Sequence, residues 1–149
     1  MSDTEDVKAR KLSVEASKLQ IIQNNMLRMI FGFRLSDQVN MEKLRNEIGM
    51  FSVNQLSCYH VLIEAFTVKH FGSSEKIQGK WMQNNQGIYS NRRVHDVKVP
   101  SFGHVKCQGF SWYAAKMWNK LPENIKDITN YDTFKVKIKD HIWSTIPSY

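Results

Sequence analysis

Two cysteines and five histidines are the side chains best suited to nucleophilic or metal chemistry here, and their spacing favours neither. Cys58 and Cys107 form no C-x-x-C pair, and His60, His70, His95, His104 and His141 show no zinc-ligand spacing with them. A Cys/His dyad can be written for Cys58 with His60, or for Cys107 with His104. Two positions apart on a helix, however, Cys58 and His60 point to different faces. The chain has no Asp-Asp step of the kind that holds two metal ions for polymerisation, no glycine-rich G-K-S/T loop and no G-x-S-x-G elbow. No catalytic residue, metal or cofactor is expected, and the two cysteines read as reduced intracellular thiols.

Binding chemistry has more to offer. Arg92-Arg93 beside Tyr89 joins guanidinium planes to an aromatic ring, the mixture that contacts phosphates and stacks on bases. Around them, residues 73–110 hold Lys76, Lys80, Arg92, Arg93, Lys98 and Lys106 against only Glu75 and Asp96. The whole chain carries +7 with a sequence pI near 9.5, which favours a polyanionic partner, nucleic acid ahead of membrane lipid. Arg28 and Arg34 add two cations near the end of a helix, where the dipole also favours them. The candidate nucleic-acid-binding set is therefore Arg28, Arg34, Lys76, Lys80, Tyr89, Arg92, Arg93, Lys98 and Lys106, with RNA or an RNA/DNA duplex as partner. A second series, Lys116, Lys120, Lys126, Lys135, Lys137 and Lys139, is diluted by Asp127, Asp132 and Asp140 and reads as a solvated helix face. No apolar run is long enough to span a membrane, and Met1 to Lys11 lacks the apolar core of a secretory signal, so a nuclear or cytoplasmic place is expected.

The elements that must position these residues are mainly helical. A hydrophobic share of 42% argues against disorder over most of the length. Residues 1–12 mix charges without periodicity and read as a flexible, frayed tail. A helix is predicted from about Val14 to Phe31, with Leu19, Ile22, Met26 and Ile30 as its apolar stripe and Gly32 as its stop. A shorter one follows, with Met41, Leu44 and Ile48 on one face and Gly49 beyond its end. Ser52-x-x-Gln55 is a capping box that starts a third helix, with Leu56, Tyr59, Ile63 and Phe66 inward and Gly72 as its stop. Residues 73–93 read as a long polar loop with one helical turn around Lys80 to Gln83, anchored by Trp81. Val97 to Val99 and Val105 to Cys107 fit a short β-hairpin or an extended segment.

Gly109 to Pro122 packs Phe110, Trp112, Tyr113 and Trp118 into fourteen positions. Ser111 is its expected N-cap; Ala114, Trp118 and Leu121 share one face, and the step into Pro122 closes it. Pro122 then opens a further turn containing Ile125. In the last segment, Phe134, Ile138 and Ile142 fit a helix, with Thr129-x-x-Asp132 as capping box. Phe134 to Lys139 also alternates as an edge strand would, and helix is preferred on length and capping. The expected fold is a small, mainly α bundle with a long basic loop and a short hairpin. Its parts are the tail 1–12, a helical segment 13–72, a basic segment 73–110 and a C-terminal helical segment 111–149, with 13–149 as one domain.

Several of these strings carry a resemblance. Ala115-Lys-Met-Trp-Asn-Lys-Leu-Pro-Glu-Asn-Ile125, with Phe134-Lys-Val-Lys-Ile-Lys after it, resembles the C-terminal end of reverse-transcriptase polyproteins from jockey-like non-LTR retrotransposons. Leu19-Gln-Ile-Ile-Gln-Asn-Asn-Met-Leu-Arg-Met-Ile-Phe-Gly32 is similar to an L-Q-x-x-Q-N-x-x-L-R-x-I-x-G helix of that family. Leu44-x-x-Glu-Ile-Gly49 with Ser52-Val53 resembles its next segment, and Arg92-Arg93 falls where an arginine-rich strip lies. The resemblance marks Trp112, Ala114, Trp118, Asn119, Leu121, Pro122, Phe134 and Ile138 as the structural motif and runs from about Lys18 to Ile142. It implies a thumb or post-thumb region that holds template and primer, with the palm aspartates upstream and the remainder of such a polyprotein as a further partner.

Overall fold

The computed structural model describes residues 2–82, 95–97, 99, 109–146 and 148, of which 2–13 and 82 by backbone alone. Among the described residues there are seven helices and no strand: α1 (Ser2–Phe31), α2 (Met41–Ile48), α3 (Val53–Phe71), α4 (Glu75–Met82), α5 (Phe110–Asn119), α6 (Glu123–Lys126) and α7 (Tyr131–Thr145). The mainly α expectation holds. The expected hairpin lies outside the described residues apart from Val97 and Val99, neither of which is in a strand.

Packing divides the chain into two compact units, Met1–Ser57 with Thr145–Tyr149, and Cys58–Ser144. The divisions fall inside α3 and α7, away from the composition breaks near residues 72 and 110.

In the first unit α1 begins at Ser2, so the expected frayed tail is helical. Glu5, Lys8, Ala9, Arg10, Lys11 and Leu12 are all strong helix formers, and no glycine or proline interrupts Ser2 to Phe31. The apolar stripe read in α1 does not face inward. Leu19, Ile22, Met26 and Ile30 are exposed, and the inner seam holds Gln20 and Leu27. Amide hydrogen bonds decide that rotation. Gln20 Oε1 accepts from the Val53 N–H at 2.8 Å, and Gln23 Nε2 donates to the Phe51 carbonyl at 3.0 Å. Facing them, Arg45 on α2 is buried at 2% exposure and donates to Asn24 Oδ1 at 2.6 Å and the Ser148 carbonyl at 2.9 Å. The inner face of α2 is thus Met41 and Arg45, and Ile48 is exposed.

Helix ends in this unit follow their chemistry. Asn40 caps α2 through Lys43 N–H, and Gly49 ends it at φ 70°, with Met50 N–H reaching back to the Arg45 carbonyl. The Ser52–Gln55 box forms as expected, in both directions and fully buried: Ser52 N–H to Gln55 Oε1 at 3.0 Å, Gln55 N–H to Ser52 Oγ at 3.3 Å. The same Gln55 donates through Nε2 to the Ile146 carbonyl at 2.9 Å.

The second unit is built on an aromatic ladder. Phe66 of α3 stacks on Phe134 of α7 at 4.4 Å between ring centroids, and Phe134 stacks on Trp118 of α5 at 5.7 Å. All three are wholly buried, as are Ala114, Ala115, Ile138 and Ile142. The inner face of α3 is Cys58, Leu62, Ala65, Phe66 and Val68, one step round from the expected Leu56, Tyr59 and Ile63. The polar segment after Gly72 forms two turns, α4, and Trp81 at its end is 2% exposed with Nε1 donating to the Ser111 carbonyl at 2.9 Å. Ser111 is therefore not the cap of α5. Gly109 takes that position, and Ser111 sits buried in the first turn. For 131–145 the helix reading holds, capped by Asn130 Oδ1 on the Thr133 N–H in place of Thr129.

Candidate nucleic-acid interface

The second unit holds Lys76 and Lys80, and its described residues fasten the chain on both sides of the stretch that contains Arg92-Arg93. On the N-terminal side Trp81 is locked into the core. On the C-terminal side, His95 to Val97 is held by a cluster of polar side chains. Trp118 Nε1 and Lys69 Nζ both donate to the His95 carbonyl, at 3.0 and 2.6 Å. Asn119 pairs with Val97 as a neighbouring strand would, its Oδ1 accepting from Val97 N–H at 2.9 Å and its Nδ2 donating to Val97 O at 2.8 Å. Lys126, only 3% exposed, donates to Asp96 Oδ1 and to Glu123 Oε1, and His95 Nε2 lies 3.2 Å from Asp127.

Burial sets the electrostatics of this fastening. The Lys69 ammonium lies 4.8 Å from the centre of the Trp118 ring, and loss of water pulls its pKa down from 10.5 to about 8. The positive Lys126 pushes in the same direction, and Asp96 and Glu123 oppose it. His70 stacks on Phe66 at 4.5 Å, with its Nε2 buried and unpartnered. Burial lowers its pKa, with the charges of Lys69 and His95 adding to the effect. Lys69 and Lys126 are thus spent on internal partners, the His95 carbonyl and the Asp96 and Glu123 carboxylates, and hold this stretch of chain in place. Among the described residues no three His, Cys, Asp or Glu side chains gather as a metal site.

The expected binding residues are distributed as follows. Lys76 and Lys80 sit four residues apart on α4, and therefore on one face of it. In the first unit Arg28 donates to the carbonyls of Arg34 and Asp37, at 2.9 and 3.1 Å, so this guanidinium ties the turn after α1. Arg34 is exposed, with its backbone N–H on Asp37 Oδ2 at 2.7 Å. Tyr89, Arg92, Arg93, Lys98 and Lys106 lie outside the described residues.

One arrangement emerges only in three dimensions. On α7, Tyr131, Lys135 and Lys139 fall four residues apart in one column, and Tyr59 of α3 lies beside it. Lys135 Nζ is 5.1 Å from the Tyr131 ring centre and Lys139 Nζ is 5.8 Å from that of Tyr59. On α5, Lys116 lies 4.1 Å over Trp112. Such pairs hold a lysine head in place on an aromatic face, which leaves its outer donors for a phosphate. The i, i+4, i+8 spacing of the column is a signal that the sequence does contain. Asp132 and Asp140 mask it there, lying about 60° and about 140° round the helix from Lys135.

No protein-family model matches this chain, and neither a curated protein nor a solved structure matches it.

Proposed function

We propose that this chain is a non-catalytic nucleic-acid-binding module, related to the C-terminal part of non-LTR retrotransposon reverse transcriptases, that grips RNA or an RNA/DNA duplex by its phosphates. The observation that carries the reading is the aromatic-backed lysine column of α7, Tyr131, Lys135 and Lys139 with Tyr59, in a chain of net charge +7. Its other supports are the basic segment around Arg92-Arg93, fastened on either side, and the resemblance of the Trp118-Asn119-x-Leu121-Pro122 string. Backbone contacts of this kind carry little sequence information, so binding is expected to follow duplex shape and charge.

Fluorescence anisotropy with labelled RNA, RNA/DNA hybrid and double-stranded DNA tests it. Binding at low salt that weakens steeply as salt rises is the expected result, because each phosphate contact releases counterions. Arg92→Ala with Arg93→Ala should weaken binding to all sequences alike. Absence of binding to all three at low salt would remove the proposal.

A second reading, a protein-interaction or structural element of a transposable element, rests on the outer face of α5. Tyr113 is 42% exposed there, beside half-buried Trp112 and Met117. A pull-down whose yield is indifferent to salt but lost in Tyr113→Ala would favour it.

A further inference from the structure

Leu19, Ile22, Met26, Met29 and Ile30 of α1 are between 54% and 82% exposed. At 100° per residue they fall on one face about 100° wide, the width of a stripe that a helix normally buries. The amide seam of Gln20, Gln23 and Asn24 occupies the inward side, so this stripe has no place in its own unit. Exposed apolar side chains scattered singly are ordinary, but a contiguous stripe marks a surface that another chain covers.

We infer that this stripe is a homodimer interface, in which the α1 helices of two copies of the chain pack antiparallel. Leu19, Ile22, Met26 and Met29 succeed one another at steps of three, four and three, the a/d spacing of a two-helix seam. Antiparallel pairing sets Leu19 opposite Met29 and Ile22 opposite Met26. Every layer is then apolar on both sides, and the arrangement is its own two-fold image. A parallel pair would bring Glu15, the seam position before Leu19, against its own copy, and like charges in register repel. Antiparallel packing instead carries exposed Glu15 towards the exposed Arg34 end of the other helix.

The area is of the right order. Covering a side chain of this size removes roughly 60–120 Å² of apolar surface, so the five together expose on the order of 300 Å² per copy. A stable dimer interface takes about 800 Å² from each partner, a little over half of it apolar. The stems of Lys18 and other flanking polar residues supply much of the remainder.

Sedimentation equilibrium on the full chain, at salt high enough to strip nucleic acid, reads the association directly. The expected mass is that of two chains, falling to one on dilution. Met26→Glu with Met29→Glu should give a single-chain mass throughout, with helix content and melting of the dilute protein unchanged, since both side chains already stand in water. A single-chain mass for the unaltered protein at the highest concentration overturns the proposal, and so does a charged variant that still pairs. Orientation is read by oxidation in a background with Cys58→Ser and Cys107→Ser. Mixed Ile22→Cys and Met26→Cys chains should crosslink while Ile22→Cys alone does not, and the reverse pattern overturns the antiparallel register.

Discussion

His70 sits against the aromatic core of the second unit. Its ring is held between Phe66 and Trp118, and its buried Nε2 has no acceptor or donor. Burial makes a protonated ring costly there, and the charges of Lys69 and His95 add to that cost, which is why the folded-state pKa lies below 6.5. The unfolded chain then binds the proton more readily, so stability is complete above 6.5 and declines as the pH falls below it. His141, whose pKa burial also lowers, acts in the same direction. Urea midpoints measured down through this range should fall with acid, and His70→Phe, which keeps the ring stack, should flatten the slope to the part owed to His141. An unaltered slope in that variant would mean that His70 does not set it. The burial of Lys126 was not legible in the sequence, because a charged side chain that finds internal partners looks like any surface residue in a one-dimensional pattern.

Helix ends were more legible than helix faces. Gly32, Gly49 and Gly72 all take positive φ where a stop was expected, and the Ser52–Gln55 box closes in both directions. Local backbone chemistry decides such ends, and local sequence contains it. Faces depend on what packs opposite: the pattern misleads on α1 through the amide seam, on α2 through Arg45 and on α3 by one step, while the faces read for α5 and α7 are the buried ones. Thr129 and Ser111 do not cap their helices, and Asn130 and Gly109 take those positions. The box supplies a graded test. Gln55→Ala leaves both the Ser52 N–H and the Ile146 carbonyl without their partner and should cost about 2–4 kcal/mol, from the usual penalty for buried unpaired groups. Gln55→Glu keeps the acceptor for Ser52 but buries a carboxylate against the Ile146 carbonyl, so in denaturant titrations its cost should be at least as large at neutral pH and should shrink as acid protonates it.

At the scale of the molecule, the class of fold was readable in the sequence. Amphipathic spacing and helix formers point to a mainly α chain, and the structure agrees. The break between the units inside α3 was not readable, because no glycine, proline or change of composition marks it. Charge is carried on separate elements, and this makes its effect divisible. If the proposed grip is correct, Lys135→Ala with Lys139→Ala should reduce the slope of log K against log salt by about 2, close to one unit for each phosphate deprived of its lysine. Combined with Arg92→Ala and Arg93→Ala, the reductions should add, as those of independent sites do. A slope that the α7 pair leaves untouched would move the grip away from that column.

Two indole N–H groups end on backbone carbonyls inside the second unit, Trp81 on Ser111 and Trp118 on His95. Both rings are almost without solvent exposure, so their protons exchange with water only when the surrounding structure opens. In a hydrogen-exchange NMR experiment they therefore act as two separate clocks, one at each fastening beside the basic segment. A nucleic acid that tightens one end alone would slow one clock and leave the other running.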